Sequence, residues 1–158
     1  MIGHLVLRPS NQRDASDIGD VFLAARQHSL TFLPGLKAGD ETRIRIWIRD
    51  TVLPSTVLWV AEVDGRVVGF FSLAGEKLEH LYVHPRWQAQ EIGTALLLQA
   101  RALSPLRLEL YTFARNEGAR RFYERHGFRA IAFGQENEEN EPDVLYEWVP
   151  DPRDGAEA

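Results

Sequence analysis

Residues 78–102, LEHLYVHPRWQAQEIGTALLLQARA, hold the stretch whose order points most directly to chemistry. A β-branched and aromatic run passes through a proline-marked turn and a polar loop ending at Gly93, then enters an apolar-rich helix. A strand that enters a helix this way presents unpaired backbone N–H groups beside the positive end of the helix dipole, a site for anions and above all for phosphates. His80 and His84 in the same stretch stand four apart. On a helix they would share a face, but in a strand and turn that spacing spans more than about 12 Å, and with no third ligand no metal is expected. The chain has no cysteine, which removes disulfides, thiolate zinc sites and a cysteine nucleophile. No Ser, His and Asp order resembles a nucleophile elbow. Acidic residues crowd positions 135–143 of a chain with net charge −5, which argues against nucleic acid and suits a cationic small partner.

These groups need elements to hold them. Residues 4–8 alternate as a short strand ended by Pro9, and Ser16 or Asp17 is placed to cap a helix in which Ile18, Val21, Phe22 and Ala25 share one face. Pro34, Gly35 and Gly39 make 31–40 a loop that carries Phe32, Leu33 and Leu36. A second helix begins at Asp40, with Ile44, Trp47, Ile48 and Val52 as its buried stripe and Pro54 as its stop. VLWVAEV and RVVGFFSLA flank Asp64 and Gly65, a strong hairpin signal because both turn residues need positive φ. Gly75 and Glu76 then lead into the strand of the opening stretch. After the helix over 92–103, Ser104 and Pro105 break the pattern and LRLELYTF forms a strand. Asn116 is placed as the cap of a helix with Ala119, Phe122, Tyr123 and His126 on one face, and Gly127 ends it. Residues 128–133 and 143–149 read as the last two strands, joined across the acidic loop. Strand, helix and strand between 78 and 113 imply a right-handed crossover and a parallel pair.

At 158 residues the chain is read as one domain over 1–150 with a polar tail at 151–158. Its first residues lack a charged segment before a long apolar core, and nowhere do eighteen apolar residues run together, so a soluble cytoplasmic protein without a membrane segment is expected.

LYVHPRWQAQEIGTALL resembles the acetyl-CoA signature of the GNAT (Gcn5-related N-acetyltransferase) superfamily, in which a strand and turn lead to a Q/R-x-x-G-x-G/A loop before a helix. ARNEGARRFYERHGFR resembles that family's later motif, an Asn followed by a Tyr and a helix ending in "GF". The resemblance covers nearly the whole chain. It implies an α/β (α+β) fold: a mixed, mostly antiparallel six- to seven-stranded sheet flanked by about four helices, with a splayed parallel strand pair in the centre.

It also implies an N-acetyltransferase that moves an acetyl group from acetyl-CoA to a primary amine by direct attack in a ternary complex, without a metal. Gln88, Ala89, Gln90, Glu91, Ile92, Gly93 and Thr94 would hold the pyrophosphate. Leu81 and Val83 would offer backbone to the pantetheine amides, which pair as an added strand would, and Asn116 would touch the same arm. Tyr123 stands at the family's tyrosine position as the acid for the departing thiolate. Glu79 is the first choice of base, directly or through water, with strand alternation setting it on the side of Leu81 and Val83; Glu109 and Tyr111 are fallbacks. Phe32, Leu33, Trp47 and Tyr111 are the candidates for shaping the acceptor pocket. The acceptor is a small amine or a protein amine, cationic by the acidic loop, and a homodimer is compatible with catalysis.

The chain departs from the pattern at Glu91, where the family has its first glycine. A carboxylate about 4 Å from a phosphate costs about 4 kcal/mol at an effective dielectric of 20 and about 1 kcal/mol in bulk water. Weaker coenzyme affinity is expected unless Arg86 or the Arg115, Arg120 and Arg121 group compensates. The alternative is a non-catalytic GNAT-fold protein that binds an acyl-CoA or another ligand. A purely structural module leaves both motifs unexplained.

Overall fold

The computed structural model describes residues 4–88, 91–134, 137 and 139–152. Ala89 and Gln90 of the phosphate loop, part of the acidic stretch and tail residues 153–158 lie outside the described residues. Strand β1 (Leu5–Pro9) leads through a 3-10 turn (Gln12–Asp14) into helix α1 (Ala15–Ser29). The cap expected at Ser16 or Asp17 is not used. Asn11 and Asp14 form a capping box one turn earlier, with Asp14 Oδ2 accepting from Asn11 N at 2.8 Å. Arg8 grips the same buried carboxylate through both terminal nitrogens, at 2.8 and 2.9 Å, and holds Asp14 below the ordinary carboxylate range. A paired, charge-assisted turn fixes the chain before Ser16 is reached.

Helix α2 (Asp40–Trp47) continues through a π turn (Ile48–Val52) into a last short turn, α3 (Leu53–Ser55). Pro54 therefore sits inside the final turn instead of ending the helix before it. The widened turn, in which Leu53 N donates to Ile48 O, gives room for a residue that has no N–H and crowds the preceding turn.

Strands β2 (Val57–Val63), β3 (Arg66–Ala74) and β4 (Lys77–Val83) form the antiparallel meander. Its hairpin turns on Asp64 and Gly65, at φ 51° and 80°. After a 3-10 turn (Pro85–Trp87) come helix α4 (Ile92–Leu103), strand β5 (Leu108–Phe113), helix α5 (Glu117–Arg125), and strands β6 (Arg129–Phe133) and β7 (Asp143–Trp148). The seven strands make one sheet in the order β1-β2-β3-β4-β5-β7-β6. Every neighbouring pair is antiparallel except β4 and β5.

Alternation along the strands divides the core between the two faces. On one face α4 and α5 cover a cluster that includes Ile92, Leu96, Leu97, Leu110, Tyr123 and Tyr146. On the other, α1 and the π turn cover Ile18, Phe22, Ile48, Val60 and Phe70. Helix α4 lies close to the sheet because β3 carries Gly69 beneath it: a β-carbon there would stand 3.0 Å from Tyr82 O and 3.1 Å from Leu96 Cδ1. The backbone oxygen cannot step aside without disturbing the sheet. Gly69→Ala is expected to lower the unfolding free energy by about 1–3 kcal/mol, measured by urea titration, while Gly93→Ala, whose β-carbon would meet Phe122 at an ordinary 3.5 Å, changes it far less.

Candidate active site

Strands β4 and β5 are in register at a single position, Lys77 opposite Glu109, where Glu109 N donates to Glu76 O at 2.9 Å. Beyond that point they part. His84 N donates to Val68 O on β3, so by antiparallel alternation His80 and Tyr82 turn their peptide groups to β3, while Leu81 and Val83 turn theirs toward β5. Ala114 N donates to Pro142 O, and the same alternation leaves Tyr111 and Phe113 facing β4. The opening is thus walled by backbone groups of both strands, the arrangement expected of a pair that accepts an extended amide chain. Gln88 Nε2 reaches back to Val83 O at 3.1 Å.

The cleft that follows from this parting has a volume of about 960 Å³. At its α4 end, Ile92, Gly93 and Thr94 begin the helix, and their N–H groups have no acceptor within it. Glu91 precedes them at φ 63° and ψ 12°, the left-handed conformation for which glycine is suited. It is exposed at the cleft rim. Thr94 Oγ1 lies 3.2 Å from His126 Nε2, and His126 Nδ1 lies 2.7 Å from Phe122 O. A carbonyl only accepts, so Nδ1 carries a proton and donates to it. Arg125 also lines this end. The sequence looked elsewhere for a compensating cation: Arg121 pairs with Glu117 at 3.9 Å, Arg115 with Glu141 at 3.5 Å, and Arg120 lies against Tyr146. Arg125 lies within the second motif, between Tyr123 and the helix end, and was missed because the motif names only the Asn, the Tyr and the closing Gly-Phe; its place two residues after Tyr123 on α5 could have suggested it.

The cleft passes through the sheet. Gly93, Phe122 and Tyr123 line it on the α4/α5 face, and Ala25, Ser29 and Leu30 at the end of α1 line it on the other. Asn116 lies on its wall, with Oδ1 accepting from Ala119 N at 3.2 Å as the expected cap. Tyr123 is buried among Phe122, Phe128 and Tyr146. Burial, with the nearby Tyr82 adding to it, pushes its phenol well above the ordinary value, which keeps it protonated. Tyr111 lines the cleft and is partly covered by Lys77, whose Nζ lies 5.2 Å from the ring centre.

Glu79 also lines the cleft, but simple alternation does not describe it. Leu73 is opposite Leu78 and Ser72 is opposite His80, so Glu79 is the extra residue of a β-bulge. Leu78, Leu81 and Val83 consequently pack against the same cluster. Its carboxylate lies 3.8 Å from Lys77 Nζ. Glu109 is held by Arg107 at 2.6 Å and is not among the lining residues. Phe32, Leu33 and Trp47 stand behind the wall: Phe32 packs on Phe113 at 5.5 Å, Trp47 packs on His80 at 5.4 Å, and Leu33 is buried beside a second hollow next to α1.

The family model described as an acetyltransferase (GNAT) domain matches residues 54–130. Peptidyl-lysine N-acetyltransferase YiaC of Escherichia coli (strain K12) is 32% identical over 103 residues, a match that covers 64% of this chain and 69% of that protein. The chain belongs to the GNAT family. Peptidyl-lysine N-acetyltransferase YjaB of Salmonella typhimurium is 33% identical over 91 residues, covering 57% of this chain and 62% of that protein. The fold is shared with PaiA N-acetyltransferase of Thermoplasma acidophilum in complex with coenzyme A, at a TM-score of 0.75 and 20% identity over 93% of this chain and 99% of that one. With these relatives the chain is an acetyltransferase, and its seven-stranded mixed sheet with one parallel pair is the GNAT fold.

One titratable group of this acetyltransferase was passed over as a metal ligand and has a different place. His80 lies among Phe22, Trp47 and Tyr82, with Nδ1 2.8 Å from the buried hydroxyl of Ser72. Burial, with the Lys77 charge second, lowers its pKa to about 4. The folded value lies below the unfolded one of about 6.5, so the unfolded chain binds the proton first. Stability from neutral His80 is complete above pH 6.5 and is lost as pH falls toward 4, by on the order of 3 kcal/mol at most. Urea titrations across this window should show a slope in the wild type that flattens in His80→Leu; an unchanged slope would assign the acid sensitivity to other groups.

Proposed function

We propose that the chain moves the acetyl group of acetyl-CoA to a primary amine by direct attack within a ternary complex. The observation that carries this is the passage between β4 and β5, which joins a helix start suited to phosphate on one face of the sheet to an acidic, amine-suited hollow on the other. The N–H groups at the start of α4, with Arg125 beside them, suit a pyrophosphate. The outward backbone of Leu81 and Val83 and the amide of Asn116 suit the pantetheine arm. Bound there, acetyl-CoA supplies a thioester carbon open to a nucleophile.

A lysine-like ammonium has a pKa of about 10.4 and must lose a proton before it attacks. Glu79 takes that proton, directly or through water. As the nitrogen–carbon bond forms, the Leu81 N–H donates to the carbonyl oxygen, on which negative charge grows. As the carbon–sulfur bond breaks, the Tyr123 hydroxyl gives its proton to the sulfur.

The acceptor in this reading is a cationic amine, small or on a protein. The relatives named as peptidyl-lysine N-acetyltransferases support it, as do the acidic residues of the β6–β7 loop. Tyr111 borders the acceptor directly, while Phe32, Leu33 and Trp47 shape it from the layer behind. We place the chemistry in the cytoplasm, where acetyl-CoA is available. No helix among the described residues is long and apolar enough to cross a membrane. A homodimer would form along an edge strand, of which β6 exposes Ile131 and Phe133.

Calorimetric titration with acetyl-CoA tests the reading against the rival of a non-catalytic ligand-binding protein. Glu91→Gly is expected to tighten binding about fivefold, the effect of removing about 1 kcal/mol of screened repulsion. Absence of binding in both proteins would sink the transferase. Tyr123→Phe is expected to lower kcat about 10²-fold with acetyl-CoA affinity unchanged, read by thiol release, and an undiminished kcat would remove Tyr123 from its role.

A further inference from the structure

The α1 face of the passage contains a buried carboxyl group that is in no ion pair among the described residues. Val144 and Tyr146 of β7 point into the α4/α5 cluster, so Asp143 points to the α1 face, the side of Phe113 opposite it on β5. It lines the cleft and is 94% buried, its relative exposure being 6%. Oδ2 accepts from Asn137 Nδ2 at 3.1 Å. Oδ1 is shielded from solvent, and among the described residues no donor reaches it.

The other carboxylates described nearby are paired: Glu139 with Arg26 at 3.5 Å, which ties the β6–β7 loop to α1, and Glu141 with Arg115 at 3.5 Å. Among the described residues Asp143 is in no ion pair. A buried carboxylate with neither counter-charge nor a full set of donors is costly. Asn137 fixes its orientation, since its own carboxamide also donates to Glu141 O and accepts from Glu139 N and Glu141 N. Asn137 thus holds Oδ2 in place, and among the described residues Oδ1 is left unused at the cleft wall.

We propose that Asp143 receives a positively charged N–H donor group of the acceptor, making it a specificity-determining residue on the α1 face. The assignment rests on the transferase reading for what the ligand is for, but not for whether a cation binds. The donor can belong to the reacting amine before it loses its proton or to a second cation beside it; the shared chemistry is a cation with N–H groups to give.

Propylguanidinium carries such a group and is not an amine acceptor. Titrated calorimetrically into wild type and into Asp143→Asn, which keeps the shape and the Asn137 contact, it should bind the wild type and bind the variant about tenfold or more weakly. It should compete with the amine acceptor and not with acetyl-CoA, whose affinity should be the same in both proteins. Equal binding to both proteins, or competition with acetyl-CoA, would overturn the proposal. If Asp143→Asn fails to fold by circular dichroism, the carboxyl ¹³C resonance of Asp143 in the wild type decides. A shift on adding propylguanidinium supports the site, and no shift removes it. Lack of acetyl-CoA binding in the wild type would instead overturn the transferase reading and leave the cation result standing.

Discussion

The pairing of β4 with β5 at one end only is the constraint from which the rest of the site follows. The two strands run parallel because α4 connects them as a crossover, and they are in register at Lys77 and Glu109. Two residues later β4 carries the Glu79 bulge. An extra residue bends a strand and increases its twist, and here it does so just where the pair begins to part. The outward peptide groups of Leu81 and Val83 are then left without a strand to bond. In a sheet interior such groups are a liability; along a cleft they form a wall suited to an amide-bearing ligand.

Because the opening runs through the sheet, its two ends inherit the chemistry of two different faces. The α4/α5 end has a helix start, Arg125 and an apolar bed formed by Phe122 and Tyr123. The α1 end is aromatic and acidic, with His80 and Tyr82 against Phe22 on one side and Asp143 on the other. Burial drives both His80 and Tyr123 toward their neutral forms. The charges at the passage are therefore few, and Asp143, the buried one among them, acts where solvent weakens it least. In the proposed reading a donor with a phosphate tail and an acceptor with a positive head would approach such a passage from opposite faces, so that both could be bound at once.

Much of this was legible in the sequence, for reasons that are local. Asn116 at a helix start, Gly127 at a helix end and the Asp64 and Gly65 turn announce themselves because their backbone roles depend on their own residue types. The start of α4 at Ile92 was legible for the same reason. What escaped depends on partners distant in the chain. Alternation put Glu79 on the face of Leu81, but the bulge that decides its setting is defined by Ser72 and Leu73 on β3. Phe32, Leu33 and Trp47 looked like pocket residues because they are apolar on or near a loop, whereas Phe113 and His80 stand in front of two of them. The isolation of Asp143 shows only when the arginines are placed: Arg26 and Arg115 reach Glu139 and Glu141, and among the described residues none reaches Asp143.

Glu91 shows how a departure from a pattern can leave the geometry intact. The path from the strand through the turn into α4 requires a left-handed residue before Ile92, and the chain takes that conformation although its occupant is not glycine. The cost of holding a side-chain-bearing residue there is about 1 kcal/mol, small beside the packing of Ile92, Leu96 and Leu97, each within 1% of full burial. What the substitution changes is the field at the cradle, and even that is softened, because the side chain is exposed to water and Arg125 lines the same end of the cleft. In the proposed reading a carboxylate at the family's glycine position bears on how tightly the donor is held, while the chemistry is assigned to Glu79 on β4 and Tyr123 on α5, which the substitution does not touch.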